Sequence, residues 1–300
     1  MRITSNSAAM AASNGLAALR EQIAKTQAQI TSGKRFEAPS DDPVASQQAL
    51  RNDRESRALA QYRRTIASAK HRADLEDNAL QNMSTLLTRA REIAIQQGDA
   101  SSTPTSRQQA VAEVNGLLAQ AVALSTVRDG EEFVFGGAQS TTPPYAITEG
   151  TVFTFSTTGG GPVGARRVEI GNGETIAPVH DGVTVFGTTG AGVLKTLQDF
   201  ATALNTGDRA QVNTQLSGLT QSQIDLQAQV ADTGARASRL DIADANLSAF
   251  ATQLESRTSA LRDTDTERAI TELVTRQTTY QAAMAATSRV LTMSLTDYLR

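Results

Sequence analysis

The chain has 300 residues, a formal net charge of −3, no cysteine or tryptophan, and 39% hydrophobic residues, with aromatics only 4% of the total. Disulfides and thiolate metal centres are excluded, no basic cluster stands clear of nearby acids to grip nucleic acid, and thin Ala-rich helical packing fits better than a wide core. No run approaches the apolar length that spans a bilayer, and MRITSNSAAMAASNGL lacks the basic start and apolar core of a cleaved secretory signal, so any export is expected to use another route.

In chain order, the first predicted helix carries Ala9, Ala12, Leu16, Leu19, Ile23, Thr26 and Ile30 at alternating spacings of three and four, a heptad seam. ITSGKRFEAPSDDPVASQ (30–47) then ends one helix and begins another. Gly33 can take the left-handed conformation that closes a helix, and Lys34 and Arg35 put positive charge near its negative end. Pro39 and Pro43 bar helix immediately before them. Ser40, Asp41 and Asp42 are candidate N-caps, with Pro43 preset for the first turn. The second helix is predicted from about 43 to 97, with the seam Leu59, Tyr62, Ile66, Ala69, Ala73, Glu76, Leu80, Met83, Leu87, Ala90 and Ala94. A shorter helix follows through Val111, Val114, Leu117, Leu118, Ala121 and Leu124.

Asp129-Gly130 within RDGEEFVFGG (128–137) predicts a hairpin. From 138 to 192 the composition turns to Thr, Gly, Val and Pro, with strands expected at VFTF (152–155) and RRVEI (166–170) and turns at Gly159–Gly161 and GNG (171–173). Helix resumes near Gly192. A long helix over about 209–262 is predicted through Leu216, Leu219, Ile224, Val230, Leu240, Leu247, Phe250, Leu254 and Leu261. The last helix carries Ile270, Leu273, Gln277, Tyr280, Met284, Thr287, Leu291, Ser294 and Tyr298. The fold class is therefore mainly α: a long antiparallel helical bundle or coiled coil made by the N- and C-terminal segments, with a small β-rich insertion and a hairpin in the middle.

Chemical motifs are sparse. Gly159, Gly161 and Gly164 match GxGxxG, but Pro162 interrupts it and a strand follows, so a turn is the expected structure. FGTTGAG (186–192) has no Lys-Ser/Thr pair after it. His71 and His180 have no partners at metal-ligand spacing and are read as surface histidines. Asp41-Asp42 and Glu131-Glu132 are adjacent acids, the first pair explained by capping. No enzyme, metal or cofactor is expected. The heptad stripes suit either a monomeric core or an oligomerisation seam. Oligomerisation is favoured because the stripes run to the chain ends and include Gln277, Thr287 and Ser294, polar positions of the kind that set register and partner. Burying a large apolar residue contributes ~1.5–3 kcal/mol, and ordering each residue costs ~1–2 kcal/mol, so two thin terminal helices are expected to gain by packing on copies of themselves.

SGKRFEAPSDDPVAS (32–46), RDGEEFVFGG (128–137), GARASRLD (234–241) and TDTERAITELVTRQTTYQAAMAATSRVLTMSLTDYL (264–299) resemble motifs of the bacterial flagellin superfamily. Lys34-Arg35, Pro39, Ser40 and the SLTDYLR ending are closer to its hook–filament junction branch than to filament flagellins, although Arg300 departs from that branch's pattern. The resemblance implies a structural protein of the flagellum that joins hook to filament, assembles its terminal helices into a tubular layer, and gives the filament a platform for growth. A filament flagellin is the alternative within the superfamily, and a cytoplasmic coiled-coil adaptor the alternative from another class. The implied layers are 1–36 with 263–300 as the terminal coiled coil, 37–137 with 193–262 as a helical rod, and 138–192 as an outward-facing insertion. Implied assembly seams are Leu16, Leu19, Ile23, Ile30, Ile270, Leu273, Tyr280, Met284, Leu291 and Tyr298. The implied joint between layers is Gly33, Lys34, Arg35, Pro39, Asp41, Asp42 and Pro43. Implied partners are copies of itself, the adjoining hook-associated protein, flagellin and a flagellar export chaperone, with neither nucleic acid nor membrane insertion. Implied localisation is extracellular, at the hook–filament junction, after type III export.

Overall fold

The computed structural model describes residues 2–99, 102–148, 152–155 and 163–298. In chain order the elements are α1 (Arg2–Ser32), α2 (Pro43–Gly98), α3 (Pro104–Ser125), β1 (Arg128–Asp129), β2 (Glu132–Phe133), β3 (Tyr145–Thr148), β4 (Val152–Phe155), β5 (Val168–Gly171), β6 (Glu174–Ile176), α4 (Gly182–Phe186), α5 (Val193–Thr206), α6 (Arg209–Arg262) and α7 (Thr266–Tyr298). The chain is mainly α, as the periodicities predict. Two compact units divide it: Met1–Ala58 with Phe250–Arg300, and Leu59–Ala249. Among the described residues, no helix is long and apolar enough to cross a membrane.

Sequence chemistry sets the helix ends. Pro104 occupies the first turn of α3, and Thr103 caps it by accepting from the Ser106 N–H. Asp208 Oδ1 caps α6 by accepting from the Ala210 N–H at 2.9 Å. Gly207, at φ 72°, closes α5 in the left-handed conformation.

The core of the Leu59–Ala249 unit lies among α2, α3, α5 and α6, where Leu80, Met83, Leu87, Ala90 and Ala94 on α2 are fully buried. Ten of the eleven predicted α2 seam residues are buried; Tyr62 is half-buried, its hydroxyl 3.4 Å from Glu169 Oε1 on β5. The α6 seam differs from expectation. Val212, Leu219, Leu226, Thr233, Leu240 and Leu254 are buried and Leu247 half-buried, a strict seven-residue repeat. Ile224 and Phe250 are exposed, at 55% and 38%. Ile224 stands five positions beyond Leu219, which turns it about 140° away from the buried face.

The middle of the chain forms three separate antiparallel pairs, β1–β2, β3–β4 and β5–β6. Asp129-Gly130 makes the expected turn, with Arg128 opposite Phe133 and Gly130 at φ 62°. VFTF is β4, while the next expected strand begins at Val168 rather than Arg166. Gly159 and Gly161 lie outside the described residues; Gly164 has φ 84° and donates its N–H to Asp181 Oδ2 at 2.8 Å. The short α4, five residues long, carries no periodic signal in the sequence. It brings Phe186 edge-on to Phe135, ring centroids 4.8 Å apart, and to Tyr145 at 5.8 Å.

His180 is not a surface residue. It is 5% exposed and lies between α2 and α6, Nδ1 at 2.7 Å from Glu76 Oε1 on α2 and Nε2 at 2.8 Å from Asp232 Oδ2 on α6. Its backbone N–H also donates to Glu76 Oε1 at 3.0 Å. Arg236 pairs with Asp232 and donates to the carbonyls of Ala177 and Val179. Glu76, the one charge in an apolar heptad stripe, is there to receive a residue 104 positions later in sequence.

A second polar clamp holds the hairpin, with Glu132 bonded to both Arg72 on α2 and Arg166. The Arg72 bond, with Arg166 in support, outweighs burial and holds the Glu132 carboxyl below its ordinary value of 4.5. Its stabilisation is present above that value and is lost as pH falls through the lower folded value. Wild type is therefore expected to lose more stability than Glu132→Gln between about pH 5 and pH 3, read as the difference between two urea-midpoint profiles.

Candidate functional site

The Met1–Ala58/Phe250–Arg300 unit holds every residue of the implied assembly seams on α1 and α7 and of the implied joint. α1 and α7 run antiparallel and pack together, Arg20 Nε meeting the Tyr280 hydroxyl and Arg276 reaching the Gln22 carbonyl and Thr26 Oγ1 at 3.0 and 2.8 Å. On α1, Ala12, Leu16, Leu19, Ile23 and Ile30 are half-buried and Thr26 is 1% exposed, while the side chain of Ala9 lies outside the described residues. On α7 the face toward α1 consists of Ala269, Leu273, Arg276, Tyr280, Ala283 and Thr287, all buried or half-buried. Leu273, Tyr280 and Thr287 are thus brought to the seam, while Ile270, Gln277 and Met284 stand one residue round the helix, about 100° away, and are exposed. Arg276 with Thr26 and Tyr280 with Arg20 make polar contacts across the seam, whereas Gln277 is exposed beside it. The side chains of Leu291, Ser294 and Tyr298 lie outside the described residues.

The outer face of α7 has its own period. Ile270, Val274, Gln277, Gln281 and Met284 follow each other at four, three, four and three residues, and all are exposed. Ile270, Val274 and Met284 show 51%, 55% and 47% of their surface. Two adjacent heptad stripes on one helix fit a helix meant to have partners on two sides.

Gly33, at φ 69°, closes α1, and the chain then crosses to α2. This crossing is stitched to the α6–α7 connection by an antiparallel bridge between Lys34 and Asp263: the Arg35 N–H donates to the Arg262 carbonyl at 2.7 Å and the Thr264 N–H to the Gly33 carbonyl at 2.9 Å. The two joints, some 230 residues apart in sequence, are therefore one structure. Asp42 is the N-cap of α2, accepting from the Ala45 N–H at 3.0 Å, with Pro43 in the first turn. Asp41 instead accepts from the Glu37 and Ala38 N–H groups and from Lys25 Nζ at 3.0 Å. The Lys25 bond and the Ala38 N–H hold its carboxyl below the usual range. Arg35 pairs with Asp42 at 3.1 Å, an exposed pair worth ~0–1 kcal/mol. Arg35, Asp41 and Asp42 are engaged within the chain, whereas the Lys34 side chain lines an open polar groove with Asp53, Glu255, Ser259 and Arg262. Pro39 and Ser40 are exposed in the loop. Phe36, not singled out from the sequence, anchors the joint: it is 7% exposed and packs with Ala45 and Ala49.

Residues 3–138 match the family model of the bacterial flagellin N-terminal helical region, and residues 216–299 that of the bacterial flagellin C-terminal helical region. The chain is 27% identical over 123 residues to Flagellar hook-associated protein 3 of Escherichia coli (strain K12), covering 41% of this chain and 39% of that one. To Flagellar hook-associated protein 3 of Salmonella typhimurium it is 24% identical over 176 residues, 58% of this chain and 53% of that one. The chain thus spans two-fifths to about half of these curated relatives. Among solved structures, a putative flagellar hook-associated protein from Vibrio parahaemolyticus shares the fold, with TM-score 0.66 and 21% identity over 74% of this chain and 100% of that one.

Proposed function

The chain belongs to the bacterial flagellin family, and on that premise we propose that it joins hook to filament in the flagellum by self-assembly through its terminal helices. It is a structural protein, not an enzyme, as are the members of its family. The similarity to two hook-associated proteins supports the junction over the filament. The observation that carries the assembly reading is the second heptad stripe of α7, Ile270–Val274–Met284, left open after the first has packed on α1.

In this reading residues 1–36 and 263–300 form an inner coiled-coil layer with neighbouring copies, 37–137 and 193–262 form the next shell, and 138–192 face outward. The α1–α7 seam supports it from another side. Its large apolar residues are half-buried, whereas Leu80, Met83 and Leu87 in the other unit are fully buried, so the terminal pair gains most from further partners. Copies of the chain, the adjoining hook-associated protein and flagellin are the partners. A flagellar export chaperone covers the open α7 stripe until the chain has left the cell.

Replacing Ile270 and Val274 together by Asp tests this. Monomer stability is expected to change by no more than ~0.5 kcal/mol per site, because both side chains are exposed, while junction assembly is lost. Flagella of normal length and number in a strain carrying the double variant would overturn the assembly reading.

A further inference from the structure

Asparagine is followed by glycine three times, at Asn14-Gly15, Asn115-Gly116 and Asn172-Gly173. The fold treats the three differently. Asn14 lies within α1 and Asn115 within α3, where the following glycine N–H belongs to the helical hydrogen-bond ladder and the asparagine backbone is held in the α region. Asn172 and Gly173 instead form the two-residue turn between β5 and β6, flanked by the pair Gly171 and Glu174. Both are exposed, and Gly173 has φ 76°. Its N–H points at Glu169 Oε1 at 3.4 Å, the long end of the hydrogen-bond range.

We propose that Asn172 is a site of spontaneous backbone rearrangement, the one of the three that the folded chain leaves reactive. The Gly173 amide nitrogen gives its proton to solvent base and attacks Cγ of Asn172. A new C–N bond forms, and the side-chain nitrogen departs as ammonia, leaving a five-membered succinimide. Water then opens the ring at either carbonyl, giving aspartate or isoaspartate. The step consumes only water and requires no oxidant and no cofactor. Glycine suits it because no Cβ shields the attacking nitrogen, and a hairpin tip opens more readily than a helix interior.

The position gives the reaction a consequence. Isoaspartate inserts an extra backbone carbon into a two-residue turn, and the register of β5 and β6, Val168 opposite Ile176, depends on that turn. Ile170 is buried, and with Val168 and Ile176 it covers Ile66, Ala69 and Leu240 on the rod helices. Conversion also places a new carboxylate beside Glu169 and Glu174. The hairpin therefore loosens from the rod as the protein ages.

The test is peptide mass mapping, with an isoaspartate assay, of the full-length folded chain held in mildly alkaline buffer. The Asn172 peptide is expected to convert roughly tenfold or more faster than the Asn115 peptide. In urea, where no local structure protects any site, the three rates are expected to converge. Equal rates at Asn172 and Asn115 in the folded chain would overturn the proposal. So would an isoaspartate signal of undiminished size in Asn172→Gln.

Discussion

His180→Ala is expected to lower the unfolding free energy by ~3–5 kcal/mol, because it leaves a fully buried carboxylate without its counter-group. Glu76 is 0% exposed; its Oε1 receives both the ring and the backbone N–H of His180, and its Oε2 has no hydrogen-bond partner. Removing the ring leaves one backbone N–H to face the charge. Asp232 is less affected, being half exposed and still paired with Arg236. The second half of the experiment separates charge from packing. Glu76→Leu keeps the side-chain volume and removes the charge, so the double variant Glu76→Leu/His180→Ala is expected to recover most of the loss, with a coupling of ~2 kcal/mol or more in the cycle. Urea unfolding of the four proteins gives the answer. A double variant as unstable as the sum of the singles would mean that His180 acts through volume alone.

Gly187→Ala should cost ~3 kcal/mol or more, against ~1 kcal/mol for Gly130→Ala. Both glycines have left-handed backbones, at φ 84° and 62°. They differ in what a Cβ would meet. At Gly130 there is open space, whereas at Gly187 the added carbon would lie 2.1 Å from the Ala191 carbonyl oxygen and 2.5 Å from Gly192 Cα, both main-chain atoms that cannot swing aside. The 187–192 loop would have to move, and the Gly187 carbonyl accepts the buried Tyr145 hydroxyl at 2.6 Å, so the aromatic cluster with Phe135 and Phe186 would be disturbed. Thermal unfolding of the two variants beside wild type measures the difference. Equal shifts would leave only the backbone conformation as a cause.

These two sites also mark where sequence reasoning reaches its limit. Wherever a stripe combined large aliphatics with strict spacing, the buried face could be read directly: on α2 from Leu59 to Ala94, and on α1 from Ala12 to Ile30. On α6, Ile224 and Phe250 carry the same apolar signal as the buried positions but stand off the heptad and are exposed. Strict sevens from Val212 pick out the buried face. On α7 two stripes lie side by side, and periodicity alone does not say which one meets α1. Leu273 and Tyr280 belong to the inner stripe, Ile270 and Met284 to the outer. The insertion is the least legible part, since its strands pair in short hairpins and its anchor to α2 and α6 is a histidine far in sequence from its carboxylates. The only trace of that anchor was Glu76 itself, a charge where the period demanded an apolar residue. At the joint, Gly33 and Pro43 announced the turn, but the stitch from Lys34 to Asp263 rests on main-chain groups, which carry no residue signature.

Immunogold labelling of intact flagella with antibody against residues 138–192 tests the central claim most directly, because those residues face outward in the proposed assembly. A single cluster of label where hook meets filament is the predicted result. Label along the whole filament, or none on flagella with the protein retained in the cytosol, would contradict it.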